Sequence, residues 1–276
     1  MGVLLGALSS FLYGLGDFLG GEGAKRVTAA TVVIWAGVVS FPLIAMVALG
    51  VGGRASASDL WLGAIGGIAG AVGLVTLFAG LGRGQAAAVA PAAAAFSGVF
   101  PVLVAVVSGE VIGASTWLGV VIAIPAIVLC SWVADPGEVP FGGVWYGLVA
   151  GLGFGTYTIL LDLTESSSQL LPLIPARAAT MLTVAAAALA GVWRVSGFSS
   201  LPKGIVIGNG LLDVSGNVAL LLALRAGALA PVAVAASFYP AVTVVMARLV
   251  NSEHLRMRQI VGVALTLCAL AAIALG

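Results

Sequence analysis

The chain has 276 residues, of which 61% are hydrophobic and only 8% are charged. Ordinary soluble domains contain about 45–50% apolar and about 25% charged residues, so a soluble fold could not bury this much apolar surface. The formal net charge is +1, and the sequence has neither a basic run nor an acidic tail. The charge balance predicts no nucleic-acid partner, and the composition predicts an integral membrane protein.

The two cysteines and the one histidine are too few for a metal cluster of recognised spacing. Cys130 and Cys268 lie inside apolar runs, where we expect them to pack or to face lipid, and His254 stands apart from both. We therefore expect no metal and no cofactor. The N-terminal apolar run contains Asp17 and precedes a basic pair, which predicts a retained first helix rather than a signal peptide.

Ten apolar runs follow one another along the chain. A helix needs about 20 apolar residues to cross the hydrocarbon core of a bilayer. The runs occupy residues 2–21, 29–50, 60–82, 86–108, 116–134, 142–163, 173–195, 204–224, 230–250 and 257–275. Short turn-like sequences such as Gly52-Gly53-Arg54 connect them and leave no room for a soluble domain. The sequence therefore predicts an all-α integral membrane protein with ten transmembrane helices.

The first run carries an acidic residue inside the membrane. Asp17 follows Tyr13 by one helical turn, so the two side chains share a helix face. An ionisable side chain within a membrane helix is typical of a binding site for a substrate or a proton. The alternative is an interfacial Asp17 that pairs with Lys25 or Arg26, and the sequence leaves both readings open.

The sixth and seventh runs place polar groups at a similar membrane level. Thr158 and Asp162 lie one turn apart near the end of the sixth run, with Tyr157 beside them, and Arg177 lies early in the seventh. Arg177 either forms a structural ion pair with Asp162 or Glu165, or it binds a substrate carboxylate through its two-pronged donor geometry.

The eighth run carries the sharpest polar signal. Asn209, Asp213 and Asn217 are spaced four apart, so they form a stripe on one helix face with Asp213 near the midplane. One aspartate costs roughly 2.5–3.5 kcal/mol on insertion, and each Leu, Ile or Val returns about 0.3–0.6 kcal/mol. The run has eleven such residues and can therefore insert. The stripe either faces a wet cavity that holds substrate or a proton, or joins a hydrogen-bond network between helices.

The second half of the sequence repeats features of the first. Four pairs recur in the same order at offsets between 139 and 143 residues, namely Ala90-Pro91 and Ala230-Pro231, Phe100-Pro101 and Tyr239-Pro240, Glu110 and Glu253, and Gly119 and Gly262. The repeat predicts two units, residues 1–137 and 138–276, with five spans each. An odd number of spans inverts the second unit in the membrane, an arrangement in which transporters bind substrate near the midplane between the repeats.

Two of the repeated features favour structural roles. Glu110 and Glu253 stand where the fourth and ninth runs end, and we expect them to accept helix-starting N–H groups or to pair with an arginine. The repeated prolines remove backbone donors inside these two runs, which predicts kinks and free carbonyl groups.

The order of these motifs resembles one family. The stretch from Tyr13 to Gly21, the joint from Leu81 to Pro91, the span ends at Glu110 and Glu253, and the run from Ser237 to Thr243 are similar to the EamA-like branch of the drug/metabolite transporter superfamily. The resemblance covers essentially the whole chain. It implies ten helices in two inverted five-helix repeats, with spans one, three, four, six, eight and nine around a central cavity and spans five and ten at the periphery.

Repeat, stripe and resemblance together predict a secondary active transporter. We expect it to move a small polar or amphipathic metabolite, such as an amino acid or an amine, out of the cell by rocking one half against the other. Coupling to protons or to another gradient is expected, with Asp213 as the group that binds the proton or a cation. The expected surroundings are the lipid bilayer of the inner or plasma membrane, and the expected assembly is a monomer or a homodimer.

Other functions remain to be separated from this one. A multidrug or quaternary-cation efflux pump would line its cavity with aromatic side chains, for which Tyr13, Tyr157, Phe238 and Tyr239 are available. A non-transporting scaffold subunit would pair every polar group inside a dry bundle. We do not expect an enzyme, because Ser215 in the eighth run has no histidine or lysine nearby in sequence to activate it.

The basic residues bear on orientation. Eight of the eleven lie in the connections that follow odd-numbered spans, namely Lys25, Arg26, Arg83, Arg194, Lys203, Arg248, Arg256 and Arg258. The positive-inside rule then places both termini outside the cell. The family resemblance implies termini in the cytoplasm, and the sequence leaves the two alternatives open.

Overall fold

The computed structural model describes residues 1–83, 85–109, 113–131, 142–251 and 257–274, and every regular element in these ranges is a helix. The eleven α-helices of the described ranges are α1 (Gly2–Ala24), α2 (Ala29–Val51), α3 (Ala57–Leu81), α4 (Ala86–Val107), α5 (Ala114–Ser131), α6 (Gly142–Asp162), α7 (Leu173–Leu189), α8 (Lys203–Ala226), α9 (Leu229–Ala236), α10 (Tyr239–Asn251) and α11 (Met257–Ala274). Two short 3-10 turns, Ser166–Ser168 and Phe198–Ser200, precede α7 and α8.

Seven helical stretches of the described chain are long and apolar enough to cross a membrane. They are α1, α2, α3, most of α4, α6, α8 and the stretch Leu229–Ala247 that combines α9 with part of α10. This confirms an all-α, multi-pass membrane protein. Helix α7, with 17 residues, is shorter, and ten crossings stay a prediction.

The ninth apolar run is interrupted, which the sequence did not predict. Helix α9 ends at Ala236 and α10 begins at Tyr239. Pro240 has no N–H to donate to the Ala236 carbonyl, so the regular hydrogen-bond ladder cannot pass this point. Helix α4, with Pro91 and Pro101, runs without interruption.

The connections gather at two ends of the bundle. At one end, which we call the α1–α2 end, Ser196 in the α7–α8 connection donates its N–H to Thr31 Oγ1 at 2.9 Å. At the opposite end, which we call the α2–α3 end, the Arg54 N–H donates to the Ser167 carbonyl at 2.8 Å. There Asp59 also caps α3 through Ser56 and accepts the Glu165 N–H at 2.8 Å. These bonds fix which connections share a membrane surface.

Helices of the two predicted halves pack against each other. Helix α1 runs along α8, α3 runs along α6 and α7, and α5 lies against α11. A Cβ atom at Gly67 would overlap the Ala176 carbonyl, so glycine lets α3 and α7 touch backbone to backbone. Thr180 Oγ1 donates to the Gly67 carbonyl at 2.9 Å across this contact. The predicted boundary at residue 137, Glu110 and Glu253 all lie outside the described residues.

Two buried apolar clusters lie toward the two ends of the bundle. Val32, Leu77 and Phe78 belong to the cluster toward the α1–α2 end. Ile44, Leu161, Leu170, Leu173 and Leu221 belong to the cluster toward the α2–α3 end. Tyr13, in the middle of α1, contacts both clusters. The level between the clusters is where the polar side chains meet.

Candidate functional site

A cavity lies between the two apolar clusters, bordered by α1 to α4 and α6 to α10. About 80 Å³ of it is open to the centres of water molecules, against the roughly 10–15 Å³ that one water needs. Its polar lining consists of Tyr13, Asp17, Ser97, Tyr157, Thr158, Arg177, Thr180, Asp213, Asn217, Ser237 and Tyr239. The cavity therefore has room for several waters or for a small polar solute.

An ion pair occupies one side of this cavity. Arg177 Nη2 on α7 donates to Asp213 Oδ2 on α8. The two side chains are only 8% and 13% exposed, respectively. The sequence offered Asp162 or Glu165 as the partner of a structural ion pair, whereas the ion pair described for Arg177 is with Asp213. A buried guanidinium needs an anion at its own depth, and Glu165 is exposed at the α2–α3 end.

Hydrogen bonds extend from the ion pair along α8. Asn217 Nδ2 donates to the Asp213 carbonyl at 2.7 Å. Asn217 Oδ1 accepts from the Tyr157 hydroxyl of α6. Asn209, the third residue of the predicted stripe, lies outside the cavity lining, and its Nδ2 donates to the Gly16 carbonyl at 2.7 Å. Asn217 therefore belongs to the site, whereas Asn209 joins α8 to α1.

The second carboxyl group of the cavity is in a different state. Asp17 lines the cavity and is 6% exposed. It forms neither a hydrogen bond nor an ion pair with any residue that the structure describes. Buried carboxylates are normally paired or neutralised, so Asp17 either holds a proton or is balanced by a group other than these protein residues. No interfacial pair with Lys25 or Arg26 is described for Asp17, and Lys25 binds Glu22.

The structure brings eight of the nine sequence-predicted site residues to the cavity lining, all except Asn209. Sequence reasoning missed Thr180, Ser97 and Ser237. Thr180 lies three residues after Arg177, so helical spacing could have indicated it. Ser97 and Ser237 are related by 140 residues, the offset of the repeat, and their Oγ atoms lie 3.2 Å apart.

A second polar cluster lies at the α2–α3 end. Arg225 Nη1 donates to the Thr164 carbonyl and Nη2 donates to Thr164 Oγ1, both at 2.6 Å. Nη2 also donates to Ser168 Oγ at 3.1 Å. We call these contacts the Arg225 clasp, and they tie the end of α8 to the connection between α6 and α7.

No protein family and no curated protein matches this sequence. A solved structure, described only as the crystal structure of a protein, is similar to this chain with a TM-score of 0.68 at 15% identity, over 99% of this chain and 96% of that one. At this identity the likeness concerns the fold alone. Fold and cavity together define a multi-pass α-helical membrane protein that encloses a polar site between its helices.

Proposed function

We propose that the protein is a secondary active transporter for a small zwitterionic metabolite of the amino-acid type. The observation that carries the proposal is the Arg177–Asp213 ion pair at the wall of an internal cavity. A substrate carboxylate can replace Asp213 on the guanidinium, which binds carboxylates in a two-pronged geometry. The substrate ammonium group then pairs with Asp213, so the buried charges of Arg177 and Asp213 both stay balanced.

This exchange favours a zwitterion over a simple amine. An amine that bound Asp213 would leave the Arg177 charge buried without a partner, which is costly in a membrane interior. The modest size of the cavity also favours a small substrate. A non-transporting scaffold would be expected to pair its polar groups, whereas Asp17 has no protein partner among the described residues.

The packing of the helices supports an inverted repeat and, with it, the EamA-like branch of the drug/metabolite transporters. The contact of α1 with α8 has its counterpart in the contact of α6 with α3, as a two-fold relation between the halves would require. The Ser97 and Ser237 hydroxyls, 140 residues apart, lie together at 3.2 Å, where the axis of such a relation would pass. Transport follows as a rocking of the halves around the cavity.

The test is uptake of radiolabelled amino acids into proteoliposomes. We expect saturable uptake by the wild type, a loss of at least about tenfold in Arg177→Lys, because lysine cannot make the two-pronged contact, and a similar loss in Asp213→Asn. Ser215→Ala is the matched control, since Ser215 lies on the exposed face of the same helix. Unchanged uptake by folded Asp213→Asn protein would refute its role.

A multidrug cation pump is the second candidate, because Tyr13, Phe154, Tyr157 and Tyr239 bring four aromatic rings to the cavity. Aromatic faces attract cations, including quaternary cations that have no N–H group to donate. Binding of tetraphenylphosphonium to the purified protein, with amino acids unable to displace it, would favour this candidate over the amino-acid transporter.

A further inference from the structure

The surroundings of Asp17 are rich in oxygen atoms. The Tyr239 side chain is 5% exposed and lines the cavity, within electrostatic range of Asp17. Its hydroxyl forms no hydrogen bond of normal geometry with a described residue, although Ser97 lies close enough for a weak interaction. Ser97 lies next to Tyr239 and contacts the hydroxyl of Ser237 at 3.2 Å. One carboxylate and three hydroxyls therefore face a common part of the cavity.

Two backbone carbonyls add to this set. In an unbroken helix each carbonyl accepts an N–H from the residue four positions later. For Ser97 and Ala236 that residue is a proline, Pro101 or Pro240, which has no N–H. Both Ser97 and Ala236 line the cavity. The sequence thus leaves the carbonyl groups of two cavity-lining residues without their helical donors.

Helix α1 is held close to the break between α9 and α10, so Asp17 is fixed near these oxygens. A Cβ atom at Gly14 would lie 2.5 Å from the Tyr239 carbonyl, which only glycine avoids. The Thr243 hydroxyl donates to the Gly14 carbonyl at 3.1 Å and joins α10 to α1. Asp17 follows Gly14 by three residues, on the same side of the helix.

We propose that these oxygens bind a small monovalent cation, with Asp17 as the charged ligand and Tyr239 among the neutral ones. The cation is an inorganic ion such as Na⁺ or a primary ammonium group of a substrate. Carbonyl groups released where membrane helices are broken coordinate Na⁺ in transporters. A proton would neutralise Asp17 but leave the Tyr239 hydroxyl and the released carbonyls without a partner.

This site is separate from the Arg177–Asp213 pair, where the charges already balance. As a coupling site for transport it rests on the proposed function. As a cation-binding site it does not, because the oxygen atoms around Asp17 are in place whatever solute the protein moves. A cation at Asp17 together with a zwitterion at Arg177 and Asp213 would leave the whole cavity neutral.

The test measures thermal unfolding of the purified full-length protein in nanodiscs at constant pH and ionic strength. NaCl, methylammonium chloride and the chloride of N-methyl-D-glucamine, which is too bulky for the site, are titrated in turn. We expect a saturable rise in melting temperature of the wild type with NaCl or methylammonium. Asp17→Asn should abolish the rise, and Glu22→Gln, an acid at the end of the same helix, should retain it.

Tyr239→Phe provides a second variant if Asp17→Asn does not fold. It should raise the apparent Kd for the cation about tenfold, because one neutral ligand is lost. A response to NaCl identifies an inorganic ion, and a response to methylammonium alone identifies a substrate ammonium group.

The proposal is overturned if the wild type shows no saturable response to either cation, if only pH changes its melting temperature, or if Asp17→Asn or Tyr239→Phe responds like the wild type. The assay contains neither substrate nor gradient. A negative result in this assay therefore does not contradict amino-acid uptake through Arg177. Failure of uptake in proteoliposomes likewise does not contradict cation binding at Asp17.

Discussion

Arg177 and Asp213 form their ion pair where neither charge has bulk water around it, with 8% and 13% of the side chains exposed. Removing one partner of such a pair leaves an uncompensated charge and costs about 3–5 kcal/mol, whereas replacing both by apolar residues is often tolerated. We therefore expect Asp213→Asn to lower the melting temperature strongly. The double variant Arg177→Met and Asp213→Leu should unfold closer to the wild type.

Thermal unfolding in detergent checks this double-mutant cycle, with Ser215→Ala as the control on the same helix. Additive losses in the double variant would contradict a buried ion pair. The same cycle separates stability from function, because the double variant should fold and yet fail to bind amino acids.

Local spacing and tertiary packing contribute differently to the site. The four-residue spacing of Asn209, Asp213 and Asn217 indicated one helix face, because helical periodicity is a local property. It could not indicate that α1 would approach closely enough for Asn209 to bind the Gly16 carbonyl. The partner of Asp213 could not be predicted from the sequence either, because the depth of Arg177 in the membrane depends on how α7 packs against Gly67.

At the scale of elements, the Arg225 clasp holds the connection between α6 and α7 against the end of α8. Hydrogen bonds from a charged donor are among the stronger ones in proteins. We expect Arg225→Gln to increase amide hydrogen exchange in residues 163–171 by at least about tenfold, with little change at the α1–α2 end.

Arg54→Gln is the control, since it removes a charge at the same end while the hydrogen bonds described between Arg54 and the connection come from its backbone. Equal exchange in both variants would mean that the clasp contributes no local stability. Mass spectrometry of peptides from this connection provides the measurement.

Hydropathy anticipated where most helices lie, because a membrane helix must be apolar along its whole length. It could not anticipate the interruption between α9 and α10. Phe100-Pro101 and Tyr239-Pro240 are nearly the same local sequence, yet α4 is continuous and the ninth run is not. The neighbours also differ, since a Cβ atom at Gly14 would lie 2.5 Å from the Tyr239 carbonyl, whereas one at Gly155 would lie 3.0 Å from the Phe100 ring.

At the scale of the whole molecule, the charges of the two ends differ. The described α1–α2 end exposes five basic residues, Lys25, Arg26, Arg83, Arg194 and Lys203. At the α2–α3 end Arg54 is exposed, while Arg225 is held in the clasp. The positive-inside rule therefore predicts that the α1–α2 end faces the cytoplasm and that both termini lie outside.

Single cysteines in a background without Cys130 and Cys268 test this orientation. Ser167→Cys should react with a membrane-impermeant maleimide in intact cells, and Ser199→Cys should react only after permeabilisation. Both positions are exposed, at opposite ends of the bundle. The reverse labelling pattern would place the termini in the cytoplasm, as the family resemblance implies.

The two apolar clusters also act as electrical insulation. Because they place apolar, poorly polarisable side chains on either side of the cavity, we expect part of the membrane voltage to fall across them, with an ion near Asp17 partway down that drop. A zwitterion carries no net charge, so only the accompanying cation would draw on the voltage, at about 2.3 kcal/mol for each 100 mV that its charge crosses. The leucine, valine and phenylalanine side chains of the clusters would thereby influence how much of the membrane potential drives transport of a solute that they do not contact.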